Sequence, residues 1–295
     1  MSTPEFEIVS LRSGIKSLRM VSNQETFHPG IGPMAEARIL HVEQQRLVER
    51  CSQAGRFVIW DVGLGAAANA IAAIEALKGC IANVEIHSFD KTLSPLAFAL
   101  ENQEDLDYIK PHQDVIRILL KEKVVLVAPN ISWHLHLGDF REVMLRPELP
   151  SPHACIYDPY SSVSNQEMWT LEHFRNLAKR LDPAVPCLLT NYTGSSAVRV
   201  TWLLAGFYVG VGASVGKKAE TTVASNHLNL LEQPLSAEWL AKRQTSQSSA
   251  PLRAAQHVAA TISAEDFVEL SGLAQFVERE SSKSGSPLSA QIHDS

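Results

Sequence analysis

Between Val58 and Ala70 the chain reads Val-Ile-Trp-Asp-Val-Gly-Leu-Gly-Ala-Ala-Ala-Asn-Ala. The first five residues have the length and apolar character of a buried strand. Gly63 and Gly65 supply a tight turn at which the backbone can approach a ligand closely. The alanine run after them opens a helix. A strand that runs through a glycine turn into a helix must cross over to a parallel neighbour, so this stretch restricts the chain to an α/β sheet.

The rest of the chain repeats the alternation. Strands are expected at 57–62, 84–89, 131–137, 154–157 and 186–192, with helices at 66–77, 95–100, 169–181 and 196–204. A last pair, 208–215 and 221–225, is joined by Gly216-Lys217-Lys218-Ala219-Glu220, which adds an antiparallel closing hairpin to a mostly parallel, Rossmann-like sheet. Ahead of the sheet, residues 5–22 read as a hairpin turning at Ser13-Gly14, and residues 34–54 as one helix. Three regions result: 1–54, a hairpin and helix packed on the core; 55–243, the ligand-binding sheet domain; and 244–295, a Ser- and Gln-rich tail expected to be variable and largely disordered. Within that tail, Ser263 and Asp266 form a capping-box variant before one amphipathic helix.

Composition removes several function classes. The net charge is −6, so the chain is no strongly basic nucleic-acid binder, and any RNA contact needs a local patch. Arg12, Lys16, Arg19, Arg38, Lys217 and Lys218 are the candidates for one. No apolar run reaches the roughly 18 residues of a membrane span, and the first residues lack a secretory pattern. Cys51, Cys80, Cys155 and Cys187 are scattered, which predicts buried thiols in a reducing cytoplasm and no disulfide. His134 and His136 share one strand face, but no third ligand stands at a suitable spacing along the chain, so no metal is expected.

Asp61, two residues before Gly63, identifies the ligand class. A carboxylate there would repel a pyrophosphate, which disfavours a nicotinamide-dependent dehydrogenase. It would attract a ligand that carries an ammonium and a sulfonium, and this predicts S-adenosyl-L-methionine. Asp90 ends the second strand, where a carboxylate accepts hydrogen bonds from both ribose hydroxyls. Asp139 and Phe140 end the third, an acid for the adenine amino group and a ring to lie against the base. Ligands of open α/β sheets bind at the carboxyl ends of strands, so these residues should converge.

The fourth strand runs into Tyr157-Asp158-Pro159-Tyr160, followed by Asn165 and by Trp169-Thr170 ahead of Phe174. This segment resembles the methyltransferase domain of the tRNA 5-methylaminomethyl-2-thiouridine biosynthesis protein. That family carries Asp-Gly-Phe-Ser/Ala-Pro here, then Asn-Pro and Trp-Thr. Glu25-Thr26-Phe27-His28, with Gly32, Glu36 and Arg38, resembles its upstream segment, and the Gly216–Glu220 turn resembles its Gly-Lys-Lys-Arg-Glu hairpin. The similarity runs over about residues 10–226, without the family's flavin oxidase half. Pro159, Ser162 and Gln166 depart from its Gly, Pro and Pro.

The resemblance implies a class I methyltransferase fold and methyl transfer from S-adenosylmethionine to an exocyclic aminomethyl group on a wobble uridine of tRNA. It implies Asp158 and Tyr160 at the reacting amine, and His28, Asn165, Trp169, Lys217 and Lys218 toward the substrate. Two other readings stay open. One is a methyltransferase for a small-molecule or protein amine. The other is a binding protein that kept the fold and lost catalysis.

Overall fold

The computed structural model describes residues 4–216 and 219–277. The described residues form ten strands: β1 (Phe6–Ser10), β2 (Lys16–Met20), β3 (Arg56–Val62), β4 (Asn83–Asp90), β5 (Val124–Ala128), β6 (Ile131–Leu137), β7 (Ala154–Tyr157), β8 (Leu188–Asn191), β9 (Tyr208–Gly212) and β10 (Thr221–Ser225). β1 and β2 form the N-terminal hairpin, and the other eight form one sheet in the order β5-β6-β4-β3-β7-β8-β10-β9. The pairs β6-β4, β4-β3, β3-β7 and β7-β8 are parallel. β10 lies antiparallel between β8 and β9. This is the class I methyltransferase arrangement, with the closing hairpin where the sequence predicts it.

Burial explains the layering. β3 is buried from Phe57 to Val62, as expected of a central strand covered on both faces. Phe57 and Ile59 pack on one face with the helix Ala68–Leu77; Val58, Trp60 and Val62 pack on the other with the helices Leu171–Arg180 and Ser196–Leu204.

Four features differ from the sequence expectation. The helix expected over 34–54 is broken: helical turns at Pro33–Ala37 and Leu47–Ser52 flank a π-helical stretch, Arg38–Glu43, and Arg46 is left-handed. The irregular turns bring His41 and Gln45 inward, where His41 Nδ1 and Gln45 Nε2 each meet Thr190 Oγ1 at 2.8 Å. Two buried polar side chains thereby find a partner.

The region between β4 and β6 holds two elements not among those expected, the helix Gln113–Glu122 and the antiparallel edge strand β5. Val124 and Leu126 of β5 are exposed, so the strand lacks the burial pattern that betrays the others.

Residues 244–277 are packed rather than disordered. Leu252, Ile262, Leu270 and Phe276 join the core over the second face. Gln275 is buried and bonds the backbone of Val209 in both directions at 2.8 Å. Ser263 caps the helix Ala264–Ser271 by accepting from Asp266 N, as the capping pattern predicts. A Ser-rich composition hides four apolar anchors spread over 25 residues, too sparse for a periodicity signal. The remainder of the expected tail, 278–295, lies outside the described residues.

Finally, Cys51 and Cys80 are joined as a disulfide, against the expectation of free thiols; their Cα atoms lie 6.7 Å apart where both segments pack on the helix Ala68–Leu77. Cys155 and Cys187 are buried free thiols, as expected. Among the described residues no helix is long and apolar enough to cross a membrane.

Candidate functional site

The carboxyl ends of β3, β4, β6, β7 and β8 open into a cavity of about 340 Å³. That size lies in the range of small-molecule sites. Gly63, Gly65, Asp90, Phe140, Asp158, Tyr160, Asn165 and His28 all line it, so eight residues singled out from separate segments converge.

The glycine turn is required by geometry. Gly63 has φ +93°, and a Cβ there would stand 2.5 Å from the carbonyl oxygen of Asp158. The first and fourth strand ends therefore touch through backbone, and only glycine allows it. Gly65 donates its N–H to Asp90 Oδ2 at 2.9 Å, and Thr92 N–H donates to Asp90 Oδ1 at 3.1 Å. Each carboxylate oxygen keeps a further lone pair for a hydroxyl. Burial raises the Asp90 pKa, against the pull of these bonds.

Asp158 follows β7. Its Oδ2 accepts from Asn69 Nδ2 at 2.7 Å, and His41 Nε2 lies 4.0 Å away. Burial holds the His41 pKa down to about 3, helped by His28, so His41 is a neutral neighbour. Tyr160 carries a buried hydroxyl with no hydrogen-bond partner among the described residues. Burial, with Asp90 and Glu25 nearby, raises its pKa and keeps it a phenol. Phe27 packs on the Tyr160 ring at 5.5 Å. Glu25 ties the same loop down by accepting from Ser161 N–H at 3.0 Å.

Three expected site residues stand elsewhere. Asp61 is fully buried and does not reach the wall, because the strand alternation that places Val62 toward the cavity side turns Asp61 into the core. Ser88 Oγ donates to its Oδ2 at 2.7 Å, while its Oδ1 has no partner among the described residues. Desolvation raises its pKa to about 7, with Asp158 and Asp90 adding repulsion. Asp139 is also outside the wall. It caps the short helix Phe140–Val143, and its carboxylate is engaged by Arg141 and by Lys91 at 3.2 Å. Those bonds hold its pKa well below the usual range. Trp169 is buried; its Nε1–H donates to Tyr160 O at 3.0 Å, so it braces the loop rather than facing a ligand. Lys217 and Lys218 lie outside the described residues.

Of the rest of the expected basic patch, Lys16 pairs with Asp105, Arg19 with Glu7 and Arg38 with Glu43, while Arg12 is exposed.

Sequence reasoning missed Asn69, Tyr192 and Lys91. Asn69 sits in the first turn of an alanine-rich helix, and a polar residue in that run was the available signal. Tyr192 and Lys91 each stand one residue beyond a strand end, and both line the cavity.

The residues suit a nucleoside that carries a cationic centre. The cavity offers the Asp90 and Asp158 carboxylates and a phenol without a partner among the described residues, and both acids interact electrostatically with the buried Asp61 carboxylate. A cation bound against this group would offset the repulsion that Asp158 and Asp90 add to the desolvation of Asp61.

Comparison with known proteins agrees with this chemistry. The family model for S-adenosyl-L-methionine-dependent methyltransferases matches residues 106–227. The tRNA 5-methylaminomethyl-2-thiouridine biosynthesis bifunctional protein MnmC of Pseudomonas fluorescens is 31% identical over 204 residues, covering 63% of this chain and 29% of that protein. The protein of the same name from Cupriavidus necator is 24% identical over 229 residues, covering 73% and 34%. The chain thus spans about a third of the length of the curated relatives it matches. The crystal structure of MnmC2 from Aquifex aeolicus shares the fold, with a TM-score of 0.68 at 24% identity, over 91% of this chain and 85% of that one.

Proposed function

We propose that this S-adenosylmethionine-dependent methyltransferase acts in the cytoplasm on an exocyclic aminomethyl group of a wobble uridine in tRNA. The observation that carries the reading is the seating of Asp158: its backbone touches Gly63 of the cofactor turn, and its carboxylate lines the same cavity. An acid in that position can hold an amine beside a ligand bound on the turn. The similarity to the 5-methylaminomethyl-2-thiouridine proteins supplies the acceptor class, since it includes Asp158, Tyr160 and Asn165.

S-adenosylmethionine, when bound, supplies an electrophilic methyl on sulfur. Gly63, Gly65 and Asp90 are the residues to hold its nucleoside, with Phe140 against the base. Asp158 orients the acceptor amine, which must be neutral to attack, and takes up its proton. Asn69 fixes the carboxylate from behind through Oδ2. The Tyr160 hydroxyl, without a partner among the described residues, donates to an acceptor atom of the pyrimidine. Asn165 and His28 border the entrance on the substrate side. Catalysis of this kind rests on orientation more than on covalent chemistry.

The test is transfer of a labelled methyl group to tRNA that carries the unmethylated aminomethyl uridine. Incorporation at the wobble position supports the reading. Binding of S-adenosylhomocysteine without incorporation into that tRNA, but with methylation of free amines, would assign a small-molecule acceptor instead.

A further inference from the structure

Away from the cavity, β4 and β6 carry a second cluster of titratable side chains. The register pairs His87 with His134 and Phe89 with His136, and Glu85 lies two residues before His87. Strand alternation therefore puts Glu85, His87, His134 and His136 on one face. We propose that Glu85, His87 and His134 form a binding site for a divalent transition-metal ion, with zinc as the representative ion.

One ligand atom from each of the three lies within 4.8 Å of the other two. Ligands around a tetrahedral zinc stand roughly 3.3 Å apart, as Zn–N distances of about 2.0–2.1 Å require. His87 Nε2 and Glu85 Oε2 already stand 3.5 Å apart, so closing the remaining gap takes rotation of His134, whose Cα the strands hold opposite that of His87. Two imidazoles and a carboxylate make a borderline donor set, suited to zinc, nickel or copper and unsuited to calcium or magnesium, which need more oxygens. Three protein ligands leave a fourth position for water.

The surroundings support the ligands as metal sites generally require. His87 Nδ1 shares a hydrogen bond with His136 Nε2 at 2.9 Å, which leaves His87 Nε2 toward Glu85 Oε2, 3.5 Å away. The His87 ring is stacked between those of His134 and His136, with centroids at 4.6 and 5.2 Å and planes within about 11°. Its orientation is therefore fixed. Glu85 is fixed from behind by Arg56, whose Nε and Nη2 donate to its two oxygens at 2.5 and 2.9 Å. The site is accessible from solvent, as Glu85 and His134 are partly exposed. Spacing along a single strand could not show this group, because its members come from two strands.

The experiment uses the full chain, freed of metal by chelator and titrated calorimetrically with zinc chloride. One ion should bind per chain, and excess magnesium should not compete. His134→Asn and Glu85→Gln should each weaken binding at least tenfold. Both side chains are partly exposed, so these variants should fold, which circular dichroism checks. His136→Asn removes the hydrogen bond to His87 and the ring stacked on it, and losses of such supporting contacts cost about 10- to 100-fold in affinity. Absence of saturable binding at millimolar zinc would overturn the proposal. So would unchanged affinity in both His134→Asn and Glu85→Gln, and the four residues would then be a stacked and hydrogen-bonded cluster and nothing more.

Discussion

Leu270 and Val268 stand on the same short helix, Ala264–Ser271, in a region whose composition predicts disorder. Leu270 is 0% exposed and sits in the core over the second sheet face, whereas Val268 is 72% exposed. If the helix is an integral part of the domain, truncation of Leu270 to alanine removes a full side chain from a packed site. Such truncations cost about 2–5 kcal/mol. Val268→Ala removes atoms already in water and should stay within about 0.5 kcal/mol of the parent. For a chain of this size 1 kcal/mol corresponds to roughly 2–4 °C, so Leu270→Ala should melt at least 4 °C lower and Val268→Ala should not move.

Urea unfolding followed by circular dichroism and tryptophan fluorescence makes the comparison. Trp202 lies in the same core cluster and reports on it. A midpoint shift with an unchanged slope means that the helix unfolds with the sheet. A separate early transition in Leu270→Ala would mean that the segment undocks as its own unit. Equal stability of the two variants would refute the reasoning and restore a dispensable tail.

Asp158→Asn keeps the hydrogen bond from Asn69 but cannot accept a proton, so methyl transfer should fall about 10²-fold or more while S-adenosylhomocysteine affinity holds; full turnover would assign Asp158 to structure. Asp90→Ala should weaken that affinity tenfold or more by isothermal titration, because hydrogen bonds to a charged acceptor contribute roughly 1.5–3 kcal/mol each, and an unchanged Kd would remove Asp90 from the ribose site. Asp61 has a folded pKa near 7, above the 3.8 of an ordinary carboxyl. The folded state thus binds the extra proton between those values, and ionisation costs stability as pH rises through the window. Asp61→Asn should abolish this slope and make the ligand-free protein more stable than the parent at pH 8, by an amount on the order of a few kcal/mol. Parallel stability curves from pH 4 to 8 would show that Asp61 is not the group responsible.

The sequence alone determined the sheet and the place of its site. A buried strand, a glycine turn and an alanine helix leave few architectures, and period-two and period-3.6 patterns are local properties that survive without a partner. Strand ends are local too, so Gly63, Gly65, Asp90, Phe140, Asp158 and Tyr160 could be named before their convergence was known. The tertiary structure decided which strand-end acids face a ligand. Asp61 looks equivalent to Asp90 in sequence, yet the alternation of β3 turns it into the core, and Asp139 is occupied by Arg141 and Lys91. It also decided what joins across the chain. Asn69 meets Asp158, His41 meets Thr190, Glu85 and His87 meet His134, and Gln275 meets Val209, at separations of 47 to 149 residues. No local pattern encodes such pairs. They exist because burial leaves each polar group to find a partner wherever packing has brought one.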